Sequence, residues 1–292
     1  MSLRDHARVL LSLSRGIARG AGLPAAGRAQ PAPAPGGSVP PPPPRRGNQS
    51  TAFGLATHHL PVRGLDAPVR ILHLSDVHVR GAGPWLDRLI AFAHGLPAAD
   101  ITVLTGDLIT KGWTPDAWRR FAQALPRPRL GSFAVRGNWE HWCGAGGADW
   151  ADLLAADTIQ LLHNKRLIIG GVELVGLDDA LAGSADWSVL EAPASLPRVV
   201  LSHCPDTFPR IAATGAPLVL SGHSHAGQVR LPLIGAPWLP KGTGAWAAGW
   251  YETTGSHLFV SAGLGWSIAP LRIRCPPTAD LVELWPMPEP TA

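Results

Sequence analysis

Three polar residues follow three predicted buried strands at equal intervals along the chain. Asp76 comes directly after the apolar run VRILHLS, and Asp107 and Asn138 follow at successive intervals of 31 residues. A strand, a crossover helix and the next parallel strand together occupy about 30 residues. The interval therefore predicts βαβ units of an α/β fold, in which these side chains collect at the carboxyl edge of a parallel sheet.

The segments around these residues support the same architecture. Helical patterns occur in WLDRLIAFAHGL and in PDAWRRFAQAL, where Pro115 suits a first helical turn. The second half of the chain is dominated by short apolar runs, namely TIQLLHN, RLIIGGVELVGL, RVVLSH, PLVLSGHSH, HLFVSAG and DLVELWP. Such runs predict a second sheet, largely mixed or antiparallel, packed on the first.

The amino-terminal part differs from the rest in composition. Nine prolines fall between Pro24 and Pro44, in a segment with almost no large apolar residues. Such a segment cannot bury enough apolar area to offset its chain entropy. We therefore divide the chain into a basic amphipathic tail (1–22), a Pro-rich disordered linker (23–48) and a folded domain (49–292).

The charge of the chain is concentrated in its amino-terminal part. Residues 1–46 contain seven Arg and one acid, which leaves the rest with a net charge of −2. The folded part gives no reason to expect a nucleic-acid partner. Three interpretations of residues 1–22 stay open: a peripheral contact with an anionic membrane, an inert tail, or, less favoured, a degenerate targeting segment.

The cysteines indicate the redox state of the compartment in which the protein is expected. Three of them are widely spaced and form no CxxC pair, which favours a reducing compartment over a disulfide framework. The expected localisation is cytoplasmic, with the inner face of the membrane as the site of any contact through the tail.

Five short motifs, each directly after a predicted strand, contain metal-ligand residue types. In chain order they are DVH (Asp76, His78), GD (Asp107), GNWEH (Asn138), SH (His203) and GHSH (His223, His225). Each motif is weak by itself, because a single His or Asp after a strand is an ordinary loop residue. Their common position at strand ends indicates a metal centre.

In this order the motifs resemble those of the calcineurin-like metallophosphoesterase superfamily, over about residues 69–285. The resemblance implies a four-layer α/β/β/α sandwich of two mixed sheets flanked by helices. The carboxyl-terminal stretches LSGHSHAGQVRLPLIG and PLRIRCPPTADLVEL are similar to a bacterial, membrane-associated branch of phosphodiesterases and phosphohydrolases. Ala226 stands where that branch usually has glycine.

The resemblance also implies two divalent metal ions and a role for each ligand. Asp76, His78 and His225 would hold the first ion. Asn138, His203 and His223 would hold the second, and Asp107 would bridge the two. Mixed nitrogen and oxygen ligands suit Mn, Fe or Zn. A hydroxide held between the ions would attack the phosphorus of a phosphate-ester substrate.

The motif GNWEH departs from the family pattern at Trp139, where a histidine usually serves the leaving group. Three explanations stay open. The metals suffice for a substrate with an easy leaving group, His141 takes over from the same side of an extended chain, or the protein binds metal without turnover. The catalytic candidates are therefore His141 and Asn138, and Glu140 is expected to orient a ligand.

These features predict a dinuclear metal-dependent phosphodiesterase. One alternative is a lipid A pathway enzyme similar to UDP-2,3-diacylglucosamine pyrophosphatase, and another is a non-catalytic metal-bound binding module. Trp238, Trp246 and Trp250 follow the GHSH motif. They belong either to the core or to an apolar rim for a lipid-like or nucleotide-linked substrate.

Overall fold

Two β-sheets of six strands each form the centre of the protein. The computed structural model describes residues 52–145, 148–253 and 255–287. The predicted tail (1–22) and linker (23–48) lie outside the described residues, so both assignments stay predictions. The strands are β1 (Gly54–Val62), β2 (Val69–Leu74), β3 (Ile101–Thr105), β4 (Gly131–Val135), β5 (Ile159–Leu161), β6 (Lys165–Ile169), β7 (Val172–Gly176), β8 (Arg198–Leu201), β9 (Leu218–Ser221), β10 (Gly249–Thr253), β11 (Ser256–Val260) and β12 (Thr278–Pro286).

Both sheets are mixed, as the sequence predicts. The first has the order β1-β12-β2-β3-β4-β5 and the second the order β10-β11-β9-β8-β7-β6. In the first sheet β2 to β5 are parallel, and β12 runs antiparallel to β2. In the second, β7, β8, β9 and β11 are parallel, with antiparallel strands β6 and β10 at the two edges.

The α-helices in the described part of the chain lie between the strands in sequence. They are α1 (Pro84–His94), α2 (Pro115–Ala124), α3 (Asn138–Trp142), α4 (Ala148–Ala156) and α5 (Phe208–Ala212). The connections β2-α1-β3 and β3-α2-β4 are the two βαβ units that the 31-residue interval predicts. None of the helices in the described ranges is long and apolar enough to cross a membrane.

Helix α2 shows how local sequence fixes these elements. The Thr114 side chain accepts a hydrogen bond from the backbone N–H of Ala117, and Pro115 occupies the first turn. Both features are favoured at helix starts, where backbone N–H groups lack helical partners. Trp118 and Phe121, three residues apart on one helical face, are fully buried against the first sheet.

The apolar side chains form three clusters that define four layers. Between the sheets, Ile71 and Val103 of the first sheet pack with Leu174, Leu201 and Phe259 of the second. The first sheet carries α1, α2 and α4 on its other face, and the second carries α5. The predicted α/β/β/α arrangement is confirmed.

Four strands and one helix differ from the sequence expectations. Strands β5 and β12, expected in the second sheet, belong to the first, where β5 pairs with β4 and β12 lies between β1 and β2. A short apolar run predicts a strand but does not identify the sheet that the strand joins. Strands β1 and β10 were not predicted, since neither is a continuous apolar run; β1 alternates between side chains of different burial and pairs with β12 more than 200 positions later. The segment GNWEH, taken as extended chain in the prediction for His141, forms the short helix α3 from Asn138 to Trp142. The consequences for Trp139 and His141 are described with the site.

Packing between the sheets can be tested at Leu174, which is fully buried on β7. Leu174→Ala should lower the free energy of unfolding by about 2–5 kcal/mol, because it leaves a cavity in the layer between the sheets. Urea denaturation measures the change. Ile168→Ala, on the neighbouring strand β6 at a side chain 63% exposed, should change it by no more than about 0.5 kcal/mol. Equal effects of the two substitutions would contradict the layered core.

Candidate metal centre

The carboxyl ends of five parallel strands bring the predicted ligands together. Strands β2, β3 and β4 lead into the first four of these residues, and β8 and β9 lead into the last three. All of them are at most 4% exposed: Asp76, His78, Asp107, Asn138, His203, His223 and His225. An edge of each sheet therefore contributes to one buried cluster, as expected for open α/β sheets.

Six of these side chains form two groups that share Asp107. Within each group one ligand-type atom of every residue lies within 4.8 Å of the others. The first group consists of Asp76, His78, Asp107 and His225, and the second of Asp107, His203 and His223. The grouping agrees with the division into two ion sites that the family resemblance implies.

In the first group, imidazole nitrogens and carboxylate oxygens converge. The Nε2 atoms of His78 and His225 are 3.1 Å apart. His225 Nε2 lies 3.2 Å from Asp76 Oδ1, and His78 Nε2 lies 3.7 Å from Asp107 Oδ2. Asp76 is fixed by the hydroxyl of Ser75 and by the backbone N–H of His223, both of which donate to its carboxylate.

In the second group, His203 lies at the centre. Its Nε2 atom is 3.2 Å from His223 Nδ1 and 3.3 Å from Asp107 Oδ2. The amide oxygen of Asn138 is also 3.2 Å from His203 Nε2. Asn138 thus joins the second group, at the position where an amide oxygen ligand was predicted.

The hydrogen bonds on the outer side of this group show that it fits a cation. His203 Nδ1 is 2.7 Å from the carbonyl oxygen of Thr105, and His223 Nε2 is 2.7 Å from that of Lys241. A carbonyl oxygen only accepts, so these outer nitrogens carry the ring hydrogens. In neutral rings the two inner nitrogens then face each other with lone pairs, which a bound divalent ion would satisfy. A backbone carbonyl on the other nitrogen is typical of metal-binding histidine.

Burial and charge set the protonation of the cluster. Burial lowers the pKa of His78 to about 3, and it also lowers the pKa values of His223 and His225. Burial opposes ionisation of Asp107, but the neighbouring histidines His203, His78 and His223 lower its pKa to about 2. Three histidines are therefore neutral at pH 7 and Asp107 is a carboxylate, which are the forms that bind metal ions.

His203 and Asp76 differ from this pattern. Burial acts to lower the pKa of His203, but Asp107 and Asp76 outweigh it and raise the pKa well above the usual value. Burial raises the pKa of Asp76 to about 6. An ion in the second group would have to displace the proton of His203, so metal binding there should release a proton.

Five of the seven cluster residues adopt a left-handed backbone conformation that side chains other than glycine rarely take. Their φ angles lie between 49° and 67°: Asp76, His78, Asp107, His223 and His225. Asp and His tolerate this region better than most residue types, at a cost of about 1–3 kcal/mol each. The conformation bends the chain sharply after each strand, so that successive side chains meet at one point.

Two glycines allow the ends of β3 and β4 to approach. Gly106 has φ of 88°, and a Cβ there would lie 2.5 Å from the backbone nitrogen of Gly137. A Cβ on Gly137 would collide with Asp107 Oδ1. The glycines of the GD and GN motifs are therefore required by the close packing that places Asp107 between the groups.

Glu140 belongs to neither ligand group, but it binds the backbone of the two loops that carry Asp107 and Asn138. Its two carboxylate oxygens accept hydrogen bonds from four backbone N–H groups, those of Gly137, Asp107, Leu108 and Ile109. Burial raises the pKa of Glu140 to about 8, which would make the group neutral at pH 7. A protonated oxygen would direct its hydrogen at an N–H donor, so we take Glu140 as the carboxylate.

Helix α3 changes the interpretation of Trp139 and His141. Residues two apart on a helix point in directions about 200° apart, so the extended-chain argument that put both on one side is wrong. The Trp139 ring lies edge-on to His78, with centroids 5.6 Å apart, and its backbone N–H donates to Asp107 Oδ1. His141 Nε2 instead lies 3.0 Å from Asp178 Oδ1.

Arg272, for which the sequence favours a solvated surface position over contact with a substrate anion, lies instead beside the first group. It is buried, and its guanidinium donates to the carbonyl oxygens of Ala262, Gly263 and Gly265 and lies 3.3 Å from His225 Nδ1. The backbone N–H of Gly265 in turn donates to the carbonyl of Asp76. Arg272 therefore anchors a loop against the first group, and no spacing in the sequence signals this contact.

The role of Glu140 can be tested by Glu140→Gln. The amide has one acceptor oxygen and presents a donor to buried N–H groups, so the free energy of unfolding should fall by about 2–5 kcal/mol. Urea denaturation measures the loss. Glu191→Gln, at an exposed position, should stay within about 0.5 kcal/mol of the wild type. A wild-type stability of Glu140→Gln would contradict the proposed bonding of four N–H groups to a carboxylate.

The sequence matches known proteins over the segment that builds this cluster. The family model for calcineurin-like phosphoesterase matches residues 69–227. The uncharacterized metallophosphoesterase YkuE of Bacillus subtilis is 28% identical over 228 residues, covering 74% of this chain and 78% of the relative.

Two further relatives carry names that describe an activity. Phosphodiesterase YaeI of Escherichia coli is 30% identical over 245 residues, covering 80% of this chain and 88% of the relative. UDP-2,3-diacylglucosamine pyrophosphatase LpxG of Chlamydia trachomatis is 26% identical over 217 residues, covering 56% of this chain and 65% of the relative. The matched segment contains all seven cluster residues, and the chain belongs to the calcineurin-like phosphoesterase family.

Proposed function

We propose that this phosphoesterase is a dinuclear metal-dependent phosphodiesterase. The observation that carries the proposal is the inward convergence of imidazole nitrogens at 3.1 and 3.2 Å around a shared carboxylate. A cation bound between such rings would be coordinated by the lone pairs of their inward nitrogens. Two adjacent groups with one common Asp favour two ions over one.

We assign the ligands as the family resemblance implies. Asp76, His78 and His225 would hold one ion. Asn138, His203 and His223 would hold the other, with Asp107 common to both. The nitrogen and oxygen donors suit Mn, Fe or Zn. Bound there, two ions would polarise the phosphoryl group and supply a hydroxide nucleophile at neutral pH.

The surrounding residues keep the donors in place. Thr105 and Lys241 fix the tautomers of His203 and His223 through their carbonyl oxygens. The backbone N–H of Trp139 occupies Asp107 Oδ1 and leaves Oδ2 directed at His78 and His203. This pre-organisation supports a site that needs little rearrangement when it binds ions and substrate.

The residue at position 139 favours a substrate whose leaving group departs readily. Trp139 offers only a neutral N–H donor and cannot supply a proton to a leaving oxygen. Phosphodiesters and pyrophosphates with a stabilised leaving group need no such acid. A catalytic role for His141, whose Nε2 atom lies 3.0 Å from Asp178 Oδ1, stays a prediction. For Asn138 we propose two roles, as a metal ligand and as a catalytic residue.

A second candidate is a pyrophosphatase that acts on a nucleotide-linked lipid. It is favoured by the relative LpxG, whose name gives UDP-2,3-diacylglucosamine as its substrate, and by exposed apolar side chains after the GHSH motif, among them Trp238. The discriminating measurement is kcat/KM for a UDP-linked acylated sugar against that for bis-p-nitrophenyl phosphate. A higher value for the sugar nucleotide would favour this candidate.

Metal dependence gives the first test. The full chain, stripped with a chelator and reloaded with Mn²⁺, Fe²⁺ or Zn²⁺, should hydrolyse bis-p-nitrophenyl phosphate. Asp107→Asn should lower kcat by more than about 100-fold, the upper end for residues that merely orient a ligand. Asp149→Asn, at an exposed position of α4, is the matched control and should retain full activity. Failure to turn over mono-, di- and pyrophosphate esters with all three metals would refute the proposal.

The leaving-group hypothesis is tested with Trp139→His. A histidine there should raise the hydrolysis of aryl phosphodiesters with poor leaving groups by about 100-fold, at the low end of general acid catalysis, and leave activated esters nearly unchanged. Trp142→His, at a side chain 59% exposed on the same helix, serves as control. A uniform effect across leaving groups would contradict the idea. Inactivity of both Trp139→His and the wild type, with two ions bound, would instead favour the non-catalytic binding module.

A further inference from the structure

Exposed large apolar side chains are concentrated in two loops beside the metal centre. Of nine such side chains on the described surface, five lie in residues 228–241 and 266–274, which we call the apolar loops. They are Leu231, Leu233, Ile234, Trp238 and Ile268. Leu233 is fully exposed and Ile234 is 70% exposed. Apolar side chains clustered in this way mark an interaction surface.

The first apolar loop, residues 228–241, contains a tight hairpin turn. The backbone N–H of Leu231 donates to the carbonyl of Gly235 at 2.8 Å, and that of Gly235 donates back at 2.9 Å. Residues 232–234 form the turn between them. The side chains of Leu233 and Ile234 are thus exposed on a narrow turn that is closed by backbone hydrogen bonds. Such a turn suits insertion into a lipid surface more than it suits a broad protein interface.

The two apolar loops are joined into one unit at their bases. Val229 and Ile273 form a parallel bridge. The Gln228 side chain donates to the carbonyls of Ala269 and Leu271 and accepts from the N–H of Ser267. The exposed residues 268–270 are therefore tethered to the base of the hairpin.

Basic residues outnumber acidic residues in this region of the sequence. Between residues 207 and 279 the sequence contains one acid, Glu252. The apolar loops contain four basic residues, of which Lys241 and Arg274 are exposed and Arg230 is partly buried. Exposed apolar side chains bordered by cations complement a membrane interface with anionic headgroups.

We propose that the apolar loops dock on a bilayer surface that contains anionic lipid, with residues 232–234 inserted at the level of the headgroups. The amino-terminal 46 residues have seven Arg and one acid, so they would favour the same surface. The loops and the segment 1–46 together would supply the two signals that stable peripheral binding requires.

Docking there would bring the metal centre to the membrane. The apolar loops contact the cluster directly, because the carbonyl of Lys241 accepts from His223 and Arg272 lies beside His225. Substrate would then be an amphiphilic phosphoester taken from the bilayer, a consequence that rests on the proposed function. The docking itself does not depend on catalysis.

Vesicle binding of the full chain tests the proposal. The wild type should co-sediment with vesicles of equal phosphatidylcholine and phosphatidylglycerol, and bind pure phosphatidylcholine more weakly. Leu233→Asp combined with Ile234→Asp should reduce partitioning at least about tenfold, since it removes apolar groups and adds repelled charges. Ile168→Asp, exposed on β6, should bind like the wild type. Unchanged binding of the double variant would overturn the proposal.

A probe at the tip separates docking by the loops from docking by the tail. Leu233→Cys, labelled with nitrobenzoxadiazole in a Cys143→Ser background, should shift its emission to the blue on anionic vesicles and be quenched by doxyl-labelled lipid. The same label at Ile168→Cys should show neither change. Vesicle binding without a shift at position 233 would assign the contact to the tail and refute the proposal. A shift seen with a monomeric amphiphilic phosphoester but without vesicles would also refute it, in favour of a substrate chain.

The test keeps the two proposals distinct. Leu233→Asp with Ile234→Asp should hydrolyse bis-p-nitrophenyl phosphate within about twofold of the wild type, because neither residue contacts the cluster. Loss of vesicle binding with retained soluble activity supports docking. Absence of soluble activity in the wild type would count against the proposed function alone.

Discussion

The carboxylate of Asp107 is the interaction on which the rest of the site depends. Among the described residues it is the side chain shared by both ligand groups. One oxygen is held by the N–H of Trp139, and the other faces His78 and His203. Its backbone N–H is held by Glu140, and its position requires glycine at 106 and 137. Together these contacts fix the position of Asp107 and the direction of its carboxylate oxygens.

The two-sheet sandwich supplies the rigidity that such a cluster needs. Five of the seven ligand candidates take a left-handed backbone that costs stability. The apolar layer between the sheets stabilises the strands that end at these residues, so that the strain is localised at the edge. Outer contacts from Thr105, Lys241 and Arg272 then orient the imidazoles. These contacts keep the strained loops in a conformation in which the ligand atoms converge on possible cation positions.

Much of this arrangement follows from sequence pattern, and the exceptions have physical reasons. The interval from Asp76 to Asp107 to Asn138 predicts βαβ units because strand and helix lengths are nearly fixed. The helix at GNWEH was missed because Glu140, which bonds the N–H of Gly137 at its start, also bonds residues 107–109, more than 30 positions away. Arg272 bonds backbone carbonyls, which leave no mark in the sequence.

Binding of two metal ions, one in each group, is the property of the site that most needs measurement. Crystals of the full chain soaked in or grown with Mn²⁺ should show, in anomalous difference maps at the manganese edge, two peaks about 4 Å apart on either side of Asp107. The peak beside His203 should lie within bonding reach of Asn138 and His223, and the other should lie between His78 and His225. A map with no peak at the cluster, or with one peak that does not contact Asp107, would contradict the central claim.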